Sequence, residues 1–284
     1  MTRQSLRIGD IIIAIDCDET FTVLDPSTRF LVSPDAAPDV ALSVRRGTPA
    51  PPQGELIFDS GGVWRLHRDG DRNVYSFHSP AFRSDPYKTA TFDAAYTRGE
   101  VICSDEVQHG ADPLEHPLDE LLVGAILGDG KGVELHGVGI VHDGRGYLFV
   151  GQSGAGKTTT ARLWLAHDPS ITILSDDRII VRKSGDGFRM YGTPWHGEAE
   201  ICAASDAPLE AIYLLEQSAA SEVRAIDEAD AVARLFGCSF PLFYRAESIL
   251  FTVTFLSEIV QRGIVQTLAF TPDGSAVLAV FASS

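Results

Sequence analysis

Short runs of β-branched and aromatic residues punctuate the first third of the chain: Ile11–Ile15, Phe21–Leu24, Val40–Val44, Glu55–Phe58, Val63–His67 and Val74–His78. Turn-forming clusters separate them, among them Thr48-Pro49-Ala50-Pro51-Pro52, Ser60-Gly61-Gly62 and Asp69-Gly70-Asp71. Glycine, proline and aspartate at such points favour chain reversal over continued pairing. The pattern predicts an antiparallel β module. A polar, proline-bearing stretch from Ser104 to Pro117 ends it, and the period then changes: Leu118, Leu121, Leu122, Ala125 and Ile126 recur at helical spacing over 118–127. A domain boundary near Pro117 follows, with a β-rich module over 1–117 and a second domain over 118–284.

In the second domain two apolar runs, Gly137–Val141 and Tyr147–Val150, flank His142-Asp143-Gly144-Arg145-Gly146, and Asp-Gly between β runs signals a hairpin. A glycine-rich loop follows, then a helix over Lys157–His167 and strands at Ile171–Leu174 and Arg178–Val181, which together read as a βαβ unit. Further along, Leu209–Leu215 and Ile264–Phe270 are expected as strands, and Glu228–Phe236 and Leu242–Gln261 as helices. Thr271-Pro272-Asp273 has the cap and first-turn proline of a short closing helix.

The chain has 284 residues, 44% of them apolar, which is enough for a substantial core. Its 39 acidic against 23 basic side chains leave a formal charge of −16. That field repels nucleic-acid backbones and anionic membrane surfaces, so neither is expected as a partner. The longest apolar stretch, Pro241–Val260, is interrupted by Arg245, Glu247 and Glu258, and no leader-like segment opens the chain; a cytoplasmic protein is expected. Cys17, Cys103, Cys202 and Cys238 lie far apart without metal-ligand spacing and read as buried thiols.

Between the apolar strand and the helix stands Gly151-Gln152-Ser153-Gly154-Ala155-Gly156-Lys157-Thr158, which fits G-x-x-x-x-G-K-[ST] in the context that the pattern requires. The glycines let successive N–H groups and the positive end of the helix face a phosphate. Lys157 is expected at the β and γ phosphates, and the Thr158 hydroxyl at Mg²⁺. Gly151, Ser153, Gly154, Ala155, Gly156, Lys157, Thr158 and Thr159 are thus the candidate nucleotide contacts, with ATP and magnesium as the expected ligands. A GTPase base-reading Asn-Lys-x-Asp motif is absent, since Asn73 is the sole asparagine, and no ABC-type signature follows the loop.

His136-Gly137 before the loop, the Gly-x-Ser-Gly-x-Gly-Lys-Thr loop itself and Ser175-Asp176-Asp177 after its helix together resemble the HPr kinase/phosphorylase family, in particular its divergent kinase-like branch. The resemblance runs over about 118–182. It implies a P-loop kinase core of the HPr kinase and phosphoenolpyruvate carboxykinase type, α/β with a mixed sheet, preceded by the smaller β-rich domain. It also implies Asp176 as general base, Asp177 as a metal-side ligand beside Thr158, and His136 as the group that orients Asp176. Two positions depart from the family pattern: Thr159 stands where a glutamate follows the loop, and Gly192-Thr193-Pro194-Trp195-His196-Gly197-Glu198 stands where an arginine-bearing loop is found. HPr itself is therefore not the expected substrate.

The expected activity is transfer of the ATP γ-phosphoryl group to a hydroxyl, with serine on a small protein or peptide as acceptor and the β module as a recognition element. A nucleotide-operated switch without transfer and a small-molecule kinase are the alternatives, and homo-oligomerisation is left open. His196 and Glu198 are candidates for binding the acceptor or a second metal, and Arg178 and Arg182 for stabilising the γ-phosphate.

Overall fold

A computed structural model describes residues 2–283, and the chain divides into two compact units, Met1–Ile126 and Leu127–Ser284. The division falls after the helix at 118–126, so that helix, α1 (Leu118–Ile126), belongs to the first unit.

The first unit carries β1 (Thr2–Ile8), β2 (Ile11–Cys17), β3 (Leu31–Val32), β4 (Val40–Arg46), β5 (Glu55–Asp59), β6 (Trp64–Asp69), β7 (Arg72–Phe77), β8 (Lys88–Phe92) and β9 (Arg98–Cys103). They form one nine-stranded sheet in the order β3-β1-β2-β4-β9-β8-β7-β6-β5. The sheet is mixed rather than purely antiparallel, because β4 runs parallel to both of its neighbours, β2 and β9. The run Phe21–Leu24 forms no strand. Its Phe21 and Val23 are buried in alternation with exposed neighbours, as a strand's would be. Its backbone bonds instead to a loop: Thr22 N–H to the Gly110 carbonyl at 3.0 Å and Leu24 N–H to Asp112 Oδ2 at 3.1 Å. Alternation reports a two-sided environment, not the identity of the hydrogen-bond partner.

The second unit contains β10 (Val133–His142), β11 (Arg145–Val150), α2 (Lys157–His167), β12 (Thr172–Ser175), β13 (Arg178–Ser184), β14 (Gly187–Tyr191), β15 (Asp206–Gln217), β16 (Glu222–Arg224), α3 (Glu228–Phe236), α4 (Ala246–Gln261), β17 (Val265–Phe270) and α5 (Ser275–Ser283). Strands β11-β10-β13-β14-β15 pair in that order, and β15 returns to pair with β11, closing a five-stranded barrel. Beyond β15 the sheet continues through β17 to β16. The unit is strand-rich, with mixed pairing: β11–β15 and β15–β17 are parallel, the remainder antiparallel.

Alternating side chains split this sheet between two cores. Leu148 and Val150 of β11 join Leu135 and Ile212 against Leu235 of α3 and Phe255 and Ile259 of α4. Tyr147 and Phe149, the residues between, pack with Ala161 and Trp164 of α2 and Val277 and Val280 of α5. Burial on both faces explains why β11 reads as a continuous apolar run. The expected βαβ unit is present with an inserted strand: β12 is antiparallel to β10, hence parallel in direction to β11, but β10 lies between them. Helix α4 starts later than its apolar pattern does. Leu242 N–H donates to Ser248 Oγ at 3.2 Å, so residues 242–245 form the approach to the helix rather than its first turn.

Along one edge of β10, β12 and β13 lie end to end, Gly139 opposite Ser175 and His136 opposite Arg178, with a register shift between Gly139 and Ile140. Asp176 and Asp177 form the break between the two strands. Adjacent side chains on an unbroken strand face opposite ways; here the interruption frees both to turn toward the same end of the barrel wall.

Candidate functional site

One hairpin assembles the loop and its neighbours. His142 pairs with Arg145 across Asp143 and Gly144, whose positive φ values of 50° and 74° fit a two-residue primed turn. The turn sets Gly137 opposite Val150, so the chain leaves β11 beside His136; Gly151 N–H points at the His136 carbonyl at 3.5 Å. Gln152, Ser153 and Gly154 are exposed, Ala155 and Gly156 half-buried, and Thr158 and Thr159 occupy half-buried places in the first turn of α2. Gly156 precedes the helix with φ 107°, and a Cβ there would stand 2.5 Å from the Phe270 ring. No side chain caps α2, which leaves its first amides directed at the space inside the loop.

Lys157 is buried, 8% exposed, rather than standing in solvent. Its Nζ donates to the carbonyls of Gly151 at 3.0 Å and Gln152 at 3.2 Å, folding the side chain back across the mouth of the loop. Burial pushes its pKa down, partly offset by the fields of Asp177, Cys238 and Asp176. Lys157 thus lies within electrostatic reach of both aspartates.

The two aspartates have different surroundings. Asp176 is 3% exposed and both of its oxygens accept backbone N–H groups, Oδ1 from Gly197 and Oδ2 from Ala199, each at 2.9 Å. Asp177 is half-buried: its Oδ1 lies 3.0 Å from His136 Nε2 and its Oδ2 3.4 Å from Arg178 Nε. The hydrogen bond from His136, followed by the charges of Arg178 and Lys157, outweighs burial and holds the Asp177 carboxyl below the usual aspartate range. Histidine and carboxylate are thus brought together as the sequence suggests, but the histidine's partner is Asp177 and not Asp176. The register accounts for it: His136 faces Arg178 on β13, one residue from Asp177, and Gly137 N–H binds the Asp177 carbonyl at 2.9 Å.

Asp176 instead fastens the loop 192–203 over the end of β12. Ser175 Oγ donates to the Trp195 carbonyl at 2.9 Å, Thr193 Oγ1 to the Arg178 carbonyl at 2.7 Å, and Ala203 N–H to the Leu174 carbonyl at 2.9 Å. His196 stays within this loop, its Nδ1 3.1 Å from the Gly197 carbonyl, and Glu198 is exposed. Arg178 belongs to the site: it bonds Glu134 Oε1 at 2.9 Å and stacks on the Phe240 ring at 3.8 Å. Arg182, two repeats of the pleat further along β13, is directed elsewhere and donates to the Lys131 carbonyl at 3.1 Å.

Beside the loop opens a cavity of about 480 Å³, lined by Val150, Gly151, Gln152 and Ala155 on one side and by Leu214, Arg234 and Cys238 on others. It lies at the carboxyl ends of β11 and β15, where open α/β sheets commonly hold ligands. No protein-family model matches the chain, and no curated protein does.

Several of its members carry no local sequence signal. Glu134, Arg234, Cys238 and Phe240 come from segments whose patterns say only strand, helix or turn; the His136 N–H bond to the Cys238 carbonyl at 2.7 Å brings the α3–α4 connection to the site. Gln217, whose Nε2 donates to the Gly154 carbonyl at 2.9 Å, fixes the outer rim of the loop from the end of β15.

Proposed function

We propose that Leu127–Ser284 is a P-loop kinase core that binds ATP with magnesium and transfers the γ-phosphoryl group to a hydroxyl, with serine on a small protein or peptide as acceptor. The observation that carries the reading is the Asp177 carboxylate, held by His136 and Arg178 within the field of Lys157 at the mouth of the glycine loop. Phosphoryl transfer needs phosphates fixed, charge neutralised and one carboxylate to accept the hydroxyl proton. The loop amides and Lys157 serve the first need, Lys157 and Arg178 the second, and Asp177 the third.

In this reading the acceptor oxygen attacks the γ-phosphorus, the bond from that phosphorus to the bridging oxygen of ADP breaks, and the acceptor proton passes to Asp177. His136 keeps the carboxylate ionised and aimed. Asp176, saturated by two N–H donors, holds the 192–203 loop and positions its neighbour rather than acting as base. Thr158 would provide magnesium with a hard oxygen ligand; Asp177, held by His136 and Arg178, is the base in this reading and not the metal-side ligand that the resemblance implies. An ion that retains phosphate and water ligands fits that sparse arrangement. Bound there, Mg²⁺ would neutralise charge on the phosphate oxygens.

The test is transfer of label from [γ-³²P]ATP to small proteins and peptides, with products sorted into labelled protein, labelled metabolite and free phosphate. Asp177→Asn should cut transfer by about 10²- to 10⁴-fold with ATP binding retained. Asp176→Asn should lose less transfer and more thermal stability, because an amide facing two N–H donors leaves one of them unsatisfied. The reverse ranking would return the base role to Asp176.

A further inference from the structure

Arg234 sits in the last turn of α3, half-buried, with its Nη1 2.6 Å from Glu216 Oε1. It lines the 480 Å³ cavity that Gly151, Gln152 and Ala155 of the glycine loop line from the other side. The Cys238 thiol, on the same cavity wall, feels the positive charge of both Lys157 and Arg234. Arg234 is the cationic side chain that lines this cavity, facing the glycine loop from a separate element, in a chain whose formal charge is −16. Cavities of this size hold nucleotide-sized ligands, and a guanidinium can bind two phosphate oxygens in its planar fork.

We infer that Arg234 is a second phosphate contact of this nucleotide site, parked on Glu216 when the cavity is empty and exchanging that carboxylate for a phosphate oxygen of the bound nucleotide. The inference rests on the nucleotide reading above and adds to it a residue outside the glycine loop. The Glu216 side chain is 42% exposed, so it returns to water when released, and the exchange strands no buried charge. Glu216 is consequently a competitor of the ligand, and a purely structural ion pair would not behave so.

Calorimetric titration of ATP, ADP and AMP into the full chain and its variants tests this. Arg234→Gln should weaken ATP binding by about tenfold or more, the loss expected for one charge-assisted contact. Glu216→Gln should tighten ATP binding by several-fold, since the guanidinium is then unoccupied. Melting curves without nucleotide check that both variants fold, and Arg234→Lys, which keeps charge without the fork, should fall between the extremes. If Lys157→Ala loses ATP while Arg234→Gln binds it as the unmodified chain does, the Arg234 inference is overturned and the nucleotide site stands. Equal weakening by Arg234→Gln and Glu216→Gln also overturns it, in favour of a structural pair. Absence of any binding by the unmodified chain removes both readings.

Discussion

On the proposed function, Asp177 would tie the chemistry of the site to pH. Its carboxyl lies below the usual aspartate range because His136 donates to it and Arg178 and Lys157 add positive charge. A depressed folded-state pKa stabilises the fold fully above the unfolded value of about 3.9, and that contribution fades as pH falls through the lower folded value. The acid limb of a pH–rate profile should accordingly lie below the ordinary carboxylate range. His136→Ala should move it upward, toward that range, with a fall in transfer; an acid limb that does not move would exclude His136 as the group that tunes the base. Residue identities at this scale were largely legible in advance: Lys157, Thr158, His136 and the aspartate pair are all in one region. The pairing among them was not. Which aspartate faces His136 depends on the register of β13 along β10 and on the break at 176–177, neither of which residue types encode.

Among the elements, the turn into α2 is constrained in two ways. Gly156 combines a left-handed backbone with close approach to the Phe270 ring, so Gly156→Ala meets both backbone strain and a steric conflict at 2.5 Å. A melting point below that of the unmodified chain, together with weaker ATP binding, is expected. An unaffected variant would show that the loop relaxes freely and is not preformed for phosphate. On the same helix Trp164 is 1% exposed and packs on Tyr147, Phe149 and Phe281. Trp164→Ala should cost about 3–5 kcal/mol in denaturant unfolding. Helices α2 and α3 follow their sequence patterns residue for residue: α2 lies between Gly156 and the Asp168-Pro169 stop, and α3 is capped by Asp227, which accepts from Ala229 and Asp230. Short strands such as β14 and β16 carry little sequence signal, because Gly187–Tyr191 and Glu222–Arg224 hold too few alternations to stand out from turns. The barrel closure was equally invisible, because it depends on β15 meeting β11 across a long sequence separation.

At the scale of the whole molecule, two compact units share one strongly acidic chain, and among the described residues no helix is long and apolar enough to cross a membrane. On the proposed function, the negative field would leave nucleotide capture to the loop amides, Lys157 and a divalent ion. ATP with Mg²⁺ should raise the melting temperature in proportion to ligand concentration, as any ligand restricted to the native state does, and GTP should do so less. The most direct test of the account is calorimetry of Mg²⁺–ATP with the unmodified chain and with Lys157→Ala. A saturable one-site isotherm is expected for the former and a loss of affinity of about a hundredfold for the latter, which lacks the cation proposed to face the phosphates. Equal binding by the two chains, or none by either, would contradict it.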